Sequence, residues 1–277
     1  MAVNGQGLPH PIYLKLKESA EMMRKYQHVI EPFWGPDAVD RTVLEIKDNK
    51  VRRSYLSKST FEKLKKTHWT KEAKRPILEG WKLDSKSGKY FSEYNLLGEY
   101  EPDNNKVILY EKTIEEVSKQ DNVPEYYVGL STYIHEVFHY VHHAAAKQNR
   151  KPYNPVREIE EAMTEFSTLL LLDKLSNQGS EKVAWDKVYD WAKQSIESKQ
   201  NYLGDLPAYG FGYYLFNHFS NDEAEAVKWI KQYNQKIGAI DKKNRYVKWY
   251  QQMLNPMYPY KDEKLCLELL HSILFNL

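Results

Sequence analysis

Cysteine is almost missing from this 277-residue chain, in which Cys266 stands alone. That excludes an internal disulfide framework and a zinc site built on paired thiolates, while a single thiol fits either redox compartment. Also missing is any apolar run near the eighteen or so residues that a membrane span requires. Neither sign of charge dominates: 40 basic side chains face 38 acidic ones, so the field of the whole molecule selects no partner. There is no internal repeat and no low-complexity tract. The opening MAVNGQGLPHP has neither a basic n-region nor an apolar h-region, so no signal peptide is read there. The chain is cytoplasmic if that N-terminus is native, and secreted or periplasmic if a signal was removed ahead of it. What the sequence does hold is an apolar fraction of 42% with 22 Tyr. Its length suits one large domain or two lobes sharing a core.

The chain changes character part-way along. Tyr13 to Ile30 has helical spacing and ends at the Pro32 to Pro36 region. Thr42 to Leu56 reads as two short strands with Asp48-Asn49 as the turn between them, and a Lys-rich helix follows from Thr60. Strand-like pieces fill Trp81 to Tyr110, the clearest being Val107 to Tyr110 after the turn residues Pro102 to Asn105. Beyond Pro124 nearly everything reads as helix, with breaks near Pro152 to Pro155, Gly179, Gly204 to Pro207, Ser220 and Pro256 to Pro259. The expected fold class is therefore α+β, with a small mixed sheet and helices in residues 1–123 and a mainly helical part in 124–277, together forming one unit.

Just past that boundary, Tyr127, Leu130, Ile134, Val137, Phe138 and Val141 make the buried stripe of an amphipathic helix. His135 and His139, one turn apart, flank it, and Glu136 points about 100° further round. Two imidazoles so spaced converge on one tetrahedral ion at about 2.0–2.1 Å. The adjacent Glu can then take a proton from water at the open position. By chance an HExxH string arises in roughly one sequence in forty with this His content, so its helical setting matters more than the match. The plain alternative is a pair of surface histidines beside a solvated Glu136. His143 extends the series, but three turns spread the rings over about 12 Å. His142 and His143 are therefore read as supporting polar residues rather than ligands.

A third ligand is expected downstream. Ile159, Ala162, Met163, Phe166, Leu169 and Leu170 mark the buried stripe of a second helix, with Glu158, Glu161 and Glu165 along a neighbouring side and Glu160 pointing elsewhere. A carboxylate there completes a His, His, Glu set, and the next, one turn on, accepts the free N–H of a liganding imidazole. Glu158 and Glu160 also fit a solvated acidic helix start, favoured by the macrodipole.

HEVFH, followed 22 residues after its second His by Glu161-Ala-Met-Thr-Glu165, resembles the gluzincin branch of the zincin metallopeptidases, with its thermolysin-like active-site arrangement. The likeness is confined to about Asn105 to Phe166. It implies a zincin-like fold and Zn2+ held by His135, His139 and Glu161. It also implies Glu136 as catalytic base and Glu165 as the acid behind a ligand, where Asp is more usual. A metzincin would need Gly at position 142 and His at 145, where this chain has His142 and Ala145. The resemblance further implies an edge strand that takes substrate peptide as an added strand, a role for which Val107 to Tyr110 is suitably placed; the other reading of that segment is an interior strand. It implies, too, a Tyr or His from a later helix that polarises the scissile carbonyl. Tyr209 in Ala208 to Tyr214 is the first choice, with His218 nearby, against a packing role for any one Tyr.

Between Lys47 and Arg75 lie eleven Lys or Arg against Asp48, Glu62 and Glu72. Such a run is more often a solvated helix side than a nucleic-acid site. The expected activity is zinc-dependent hydrolysis of peptide bonds, with a peptide or protein as substrate and without nucleic acid. The alternatives are a zincin-fold protein that binds without turnover, and a nucleic-acid-associated module using residues 47–75.

Overall fold

The computed structural model describes residues 41–66, 78, 80–177, 183–199, 206–254 and 262–276. The helix expected over Tyr13 to Ile30, the last part of the basic segment and the breaks at Gly179 and at Pro256 to Pro259 lie outside the described residues. Within them the chain is α+β, with strands confined to its N-terminal part and helices making up most of the rest.

Among the described residues six strands form two separate three-stranded sheets. In the first, β6 (Lys106–Tyr110) lies between β1 (Val43–Lys47), which runs parallel to it, and β5 (Gly98–Glu101), which runs antiparallel. In the second, β4 (Lys89–Asn95) lies between β2 (Val51–Ser57) and the two-residue β3 (Lys82–Leu83), all antiparallel. The expected strands on either side of Asp48-Asn49 are present, but they part into different sheets. The reason lies in the connecting residues, whose bonds go elsewhere. The Asp48 carbonyl accepts the Lys112 N–H and the Lys50 carbonyl accepts the Leu96 N–H. Val107, Ile108 and Leu109 are fully buried, an unbroken apolar run of the kind that belongs to a strand covered on both faces. Val107 to Tyr110 is thus the interior strand, and the edge role expected of it falls to β5.

The expected Lys-rich helix is α1 (Lys58–Lys66), begun two residues earlier where the Ser57 hydroxyl accepts the Thr60 N–H. A helix not anticipated, α2 (Glu111–Asp121), follows β6 directly and ends on Asn122 in the left-handed conformation. Pro124 then opens α3 (Glu125–Gln148). The loop 149–156 leads to α4 (Arg157–Asn177), followed by α5 (Trp185–Lys199), α6 (Leu206–Phe219), α7 (Glu223–Lys236), α8 (Arg245–Leu254) and α9 (Glu263–His271).

Helix α3 is the hub. It packs on β5 and β6 at one side and on α2, α4, α5 and α7 at others. Its apolar cover is accordingly wider than one stripe. Leu130, Ile134, Val137 and Phe138 are buried as expected, and so are Val128, Tyr133 and Tyr140, while Tyr127 and Val141 are half-buried. Helix α4 is buried still more evenly, Leu169 to Leu172 being closed off on every side. Its Ser167 and Thr168 hydroxyls donate back to the Met163 and Thr164 carbonyls, so their burial leaves no unpaired donor. Each fully covered Leu or Phe contributes roughly 1.5–3 kcal/mol, which sets the two helices firmly against each other. Among the described residues no helix is long and apolar enough to cross a membrane.

Candidate metal centre

His135 faces Glu165, and His139 faces Glu160 and Glu161. Rising numbers on α3 meet falling numbers on α4, so the two helices are antiparallel. The histidines and the downstream carboxylates therefore meet at one level of the pair.

Each imidazole is held from behind. His135 Nδ1 lies 3.0 Å from Glu165 Oε2, and His139 Nδ1 lies 3.1 Å from Glu160 Oε1. A neutral imidazole that donates Nδ1–H to its carboxylate carries its lone pair on Nε2, the nitrogen that faces forward. Forward of both stands Glu161, whose Oε2 is 3.5 Å from His135 Nε2 and 3.5 Å from His139 Nε2. That oxygen is buried and has no hydrogen-bond partner. Ligand atoms about 2.0–2.2 Å from one tetrahedral zinc lie about 3.3–3.6 Å from each other. A buried, unpartnered carboxylate oxygen at that distance from two forward-facing imidazole nitrogens fits a divalent cation. His135, His139 and Glu161 are also close enough as a set to hold one.

Burial alone would depress both imidazoles, yet the carboxylates prevail. Glu161 and Glu165 carry His135 up to about 9, and Glu161 and Glu160 carry His139 well above its ordinary value. Burial acts the other way on Glu161, but His139 and His135 hold its carboxyl far below the usual carboxylate range. Glu136, only 8% exposed, is raised above its ordinary value by burial, against the pull of the two histidines. It has the environment of a carboxylate that takes up a proton readily.

Glu136 also has the edge strand beside it. A Cβ placed on Gly98 of β5 would meet Thr132 Cγ2 at 2.7 Å, the Ile108 carbonyl oxygen at 3.0 Å and Glu136 Cγ at 3.2 Å. Glycine is what lets β5 lie this close to α3. Beyond it, Tyr100 also faces α3, its hydroxyl 2.7 Å from His143 Nδ1, while Glu99 faces away to Lys50, Arg52 and Tyr110.

Tyr209 on α6 stands edge-on to His135 with ring centroids 5.5 Å apart. One turn later, a Cβ on Gly212 would come within 2.6 Å of the Ala162 carbonyl oxygen and 2.8 Å of Glu165 Cβ. The close α4–α6 approach that sets Tyr209 against the histidine thus depends on a residue without a side chain. His218 is not brought to the site; it is exposed and lies against Tyr214 and Phe219.

His142 and His143 take the supporting places read for them. His143 bonds Tyr100, whereas His142 is wholly buried, with Nδ1 3.2 Å from the Thr164 hydroxyl and its ring edge-on to Tyr233. His142 is also near enough to His139 and Glu160 to form a second possible ligand set. In that set Glu160 Oε1 already accepts from His139 and from the Tyr153 hydroxyl. The first set has the unpartnered oxygen and is the better cation site.

Glu160 overturns its reading as a residue pointing elsewhere or a solvated helix start. It is buried and holds His139. Consecutive glutamates on one helix serve one imidazole because its two nitrogens face opposite ways: Glu161 meets Nε2 and Glu160 meets Nδ1. Of the basic segment, Lys50 and Arg52 pair with Glu99, and Arg53 pairs with Glu93.

No known protein family, no curated protein and no solved structure matches the chain.

Proposed function

We infer that the chain is a zinc-dependent peptidase of gluzincin type, with a zincin-like fold. The observation that carries this reading is the unpartnered Glu161 Oε2, equidistant from two imidazole nitrogens whose opposite nitrogens are already tied to carboxylates. Zinc held by His135 Nε2, His139 Nε2 and Glu161 Oε2 supplies a Lewis acid and a water whose pKa is lowered toward 7.

The chain's own residues do the rest. Glu165 and Glu160 keep both ligands in the tautomer that leaves Nε2 unprotonated. Glu136 takes the proton released by the attacking water on its carboxylate and delivers it to the nitrogen of the leaving amine. Among the described residues strand β5 pairs only with β6; it lies against Glu136, and its other edge is where an extended peptide can add as a further strand. Tyr209 is the donor assigned to the developing oxyanion.

Glu136→Gln tests the catalytic part. Peptide hydrolysis should fall by roughly 10²–10⁴-fold while zinc content, measured by elemental analysis, stays near one per chain. Hydrolysis that survives the substitution would remove Glu136 from the mechanism. A zinc-supplemented preparation that carries no stoichiometric zinc would sink the metal reading altogether. Retained zinc with no hydrolysis of any unstructured polypeptide would leave a binding protein.

A further inference from the structure

We propose that Tyr153, in the loop between α3 and α4, is a positioning residue that sets zinc affinity through Glu160; this rests on the metal reading above. Glu160 Oε1 accepts from two donors at once, His139 Nδ1 at 3.1 Å and the Tyr153 hydroxyl. The second donor removes the carboxylate's freedom to turn about its last torsion and so aims the oxygen at the imidazole. His139 in turn is aimed at Glu161 Oε2. The Tyr153 ring lies 4.7 Å from that of His143, whose Nδ1 is bonded to Tyr100 of the edge strand.

Loop 149–156 contains no helix or strand, and the backbone bond across Tyr153, from the Asn154 N–H to the Pro152 carbonyl at 3.0 Å, is local and does not by itself hold the loop's far side in place. Instead the α7–α8 corner grips it at three points. Asn149 Nδ2 donates to the Asn234 carbonyl at 2.9 Å, and Lys242 Nζ donates to Asn154 Oδ1 at 2.7 Å. Between these, Gly238 at φ 77° presses on the residue next to Tyr153, for a Cβ there would come within 2.5 Å of the Pro152 carbonyl oxygen. A corner that makes no bond to the histidines thereby fixes the orientation of one of them. Carboxylates and their partners behind liganding histidines typically change metal affinity by about 10–100-fold when removed.

The test is zinc affinity by competition with a chromophoric chelator, in four proteins: wild type, Tyr153→Phe, Glu160→Gln and the double variant. Tyr153→Phe keeps the ring and should weaken zinc binding by about tenfold. In the Glu160→Gln background it should change little further, because its effect passes through the carboxylate rather than through the longer, 3.4 Å contact of its hydroxyl with the His139 carbonyl oxygen. Gly238→Ala, which displaces the loop from a distance, should weaken zinc in the wild type and not in Tyr153→Phe. An affinity of Tyr153→Phe within twofold of wild type would overturn the proposal. So would an equal loss in both backgrounds, the signature of general destabilisation. Wild-type protein that fails to bind zinc at all removes the metal reading itself, an outcome distinct from either.

Discussion

Gly98→Ala offers the sharpest test of how the edge strand meets the site. A methyl at position 98 meets three atoms at once, Thr132 Cγ2 at 2.7 Å, Ile108 O at 3.0 Å and Glu136 Cγ at 3.2 Å. The carbonyl oxygen belongs to the neighbouring strand and cannot turn aside, and Thr132 is pinned by its own hydroxyl bond to the Val128 carbonyl. Overpacking at a closed contact of this kind costs about 1–3 kcal/mol. Denaturant unfolding should show that loss, and steady-state kinetics should show a lower kcat, since the remaining freedom is for β5 to lift from α3 or for Glu136 to tilt. Zinc content should not change, because none of the three atoms belongs to a ligand. The double variant Gly98→Ala/Thr132→Ser decides the matter. Serine deletes the Cγ2 in the closest contact but keeps the hydroxyl, so the two substitutions together should cost less than the sum of each alone. Strict additivity, or an Ala variant as stable as the wild type, would show that β5 does not pack on α3 in this register.

Two further results follow from the same centre. Zinc ligands must be unprotonated, and in the metal-free protein His135 is raised to about 9 and His139 well above its ordinary value. Protons therefore compete with zinc for these imidazoles, so zinc binding at pH 7 should release protons and tighten as pH rises; calorimetry in buffers of different ionisation enthalpy measures this, and binding with no proton release refutes it. Tyr209→Phe keeps the ring contact with His135 and removes only the donor, so kcat should fall by roughly 10²–10³-fold with zinc content constant; an unchanged kcat returns Tyr209 to a packing role.

The parts of this arrangement that could be read from the chain are those governed by spacing along one element. His135, Glu136 and His139 occupy one helix, and the 22 residues from His139 to Glu161 are spanned by the rest of that helix, a short loop and one turn. The continuous run Val107 to Tyr110 marked a strand, but whether it lay at an edge depended on pairing with residues some sixty positions earlier. Glu160 shows the same limit at the scale of one residue. Its 100° offset from Glu161 is real, and the inference that it pointed away failed because the partner helix lies close enough to meet both directions. Gly98 and Gly212 were silent for a related reason. A glycine's function here is what its missing Cβ would strike, and those atoms come from α3, β6 and α4.

The carboxylates around the two histidines also bear on how one fold could serve with and without a bound cation. Glu160, Glu161 and Glu165 lie within reach of the imidazoles in a largely buried region, and charge buried without compensation costs several kcal/mol per group. In the metal-free protein the compensation comes from protons on His135 and His139, which is why both are held above the ordinary histidine range despite their burial. A divalent cation that displaces those two protons brings the same charge that it removes. The net charge of the centre is thus the same in either state, whatever the surrounding carboxylates carry, and the packing of α3 on α4 need not change between them. The exchange also sets the direction of the pH effect. Protons and a divalent cation would compete for the same two imidazoles, so lowering the pH should weaken binding of the cation.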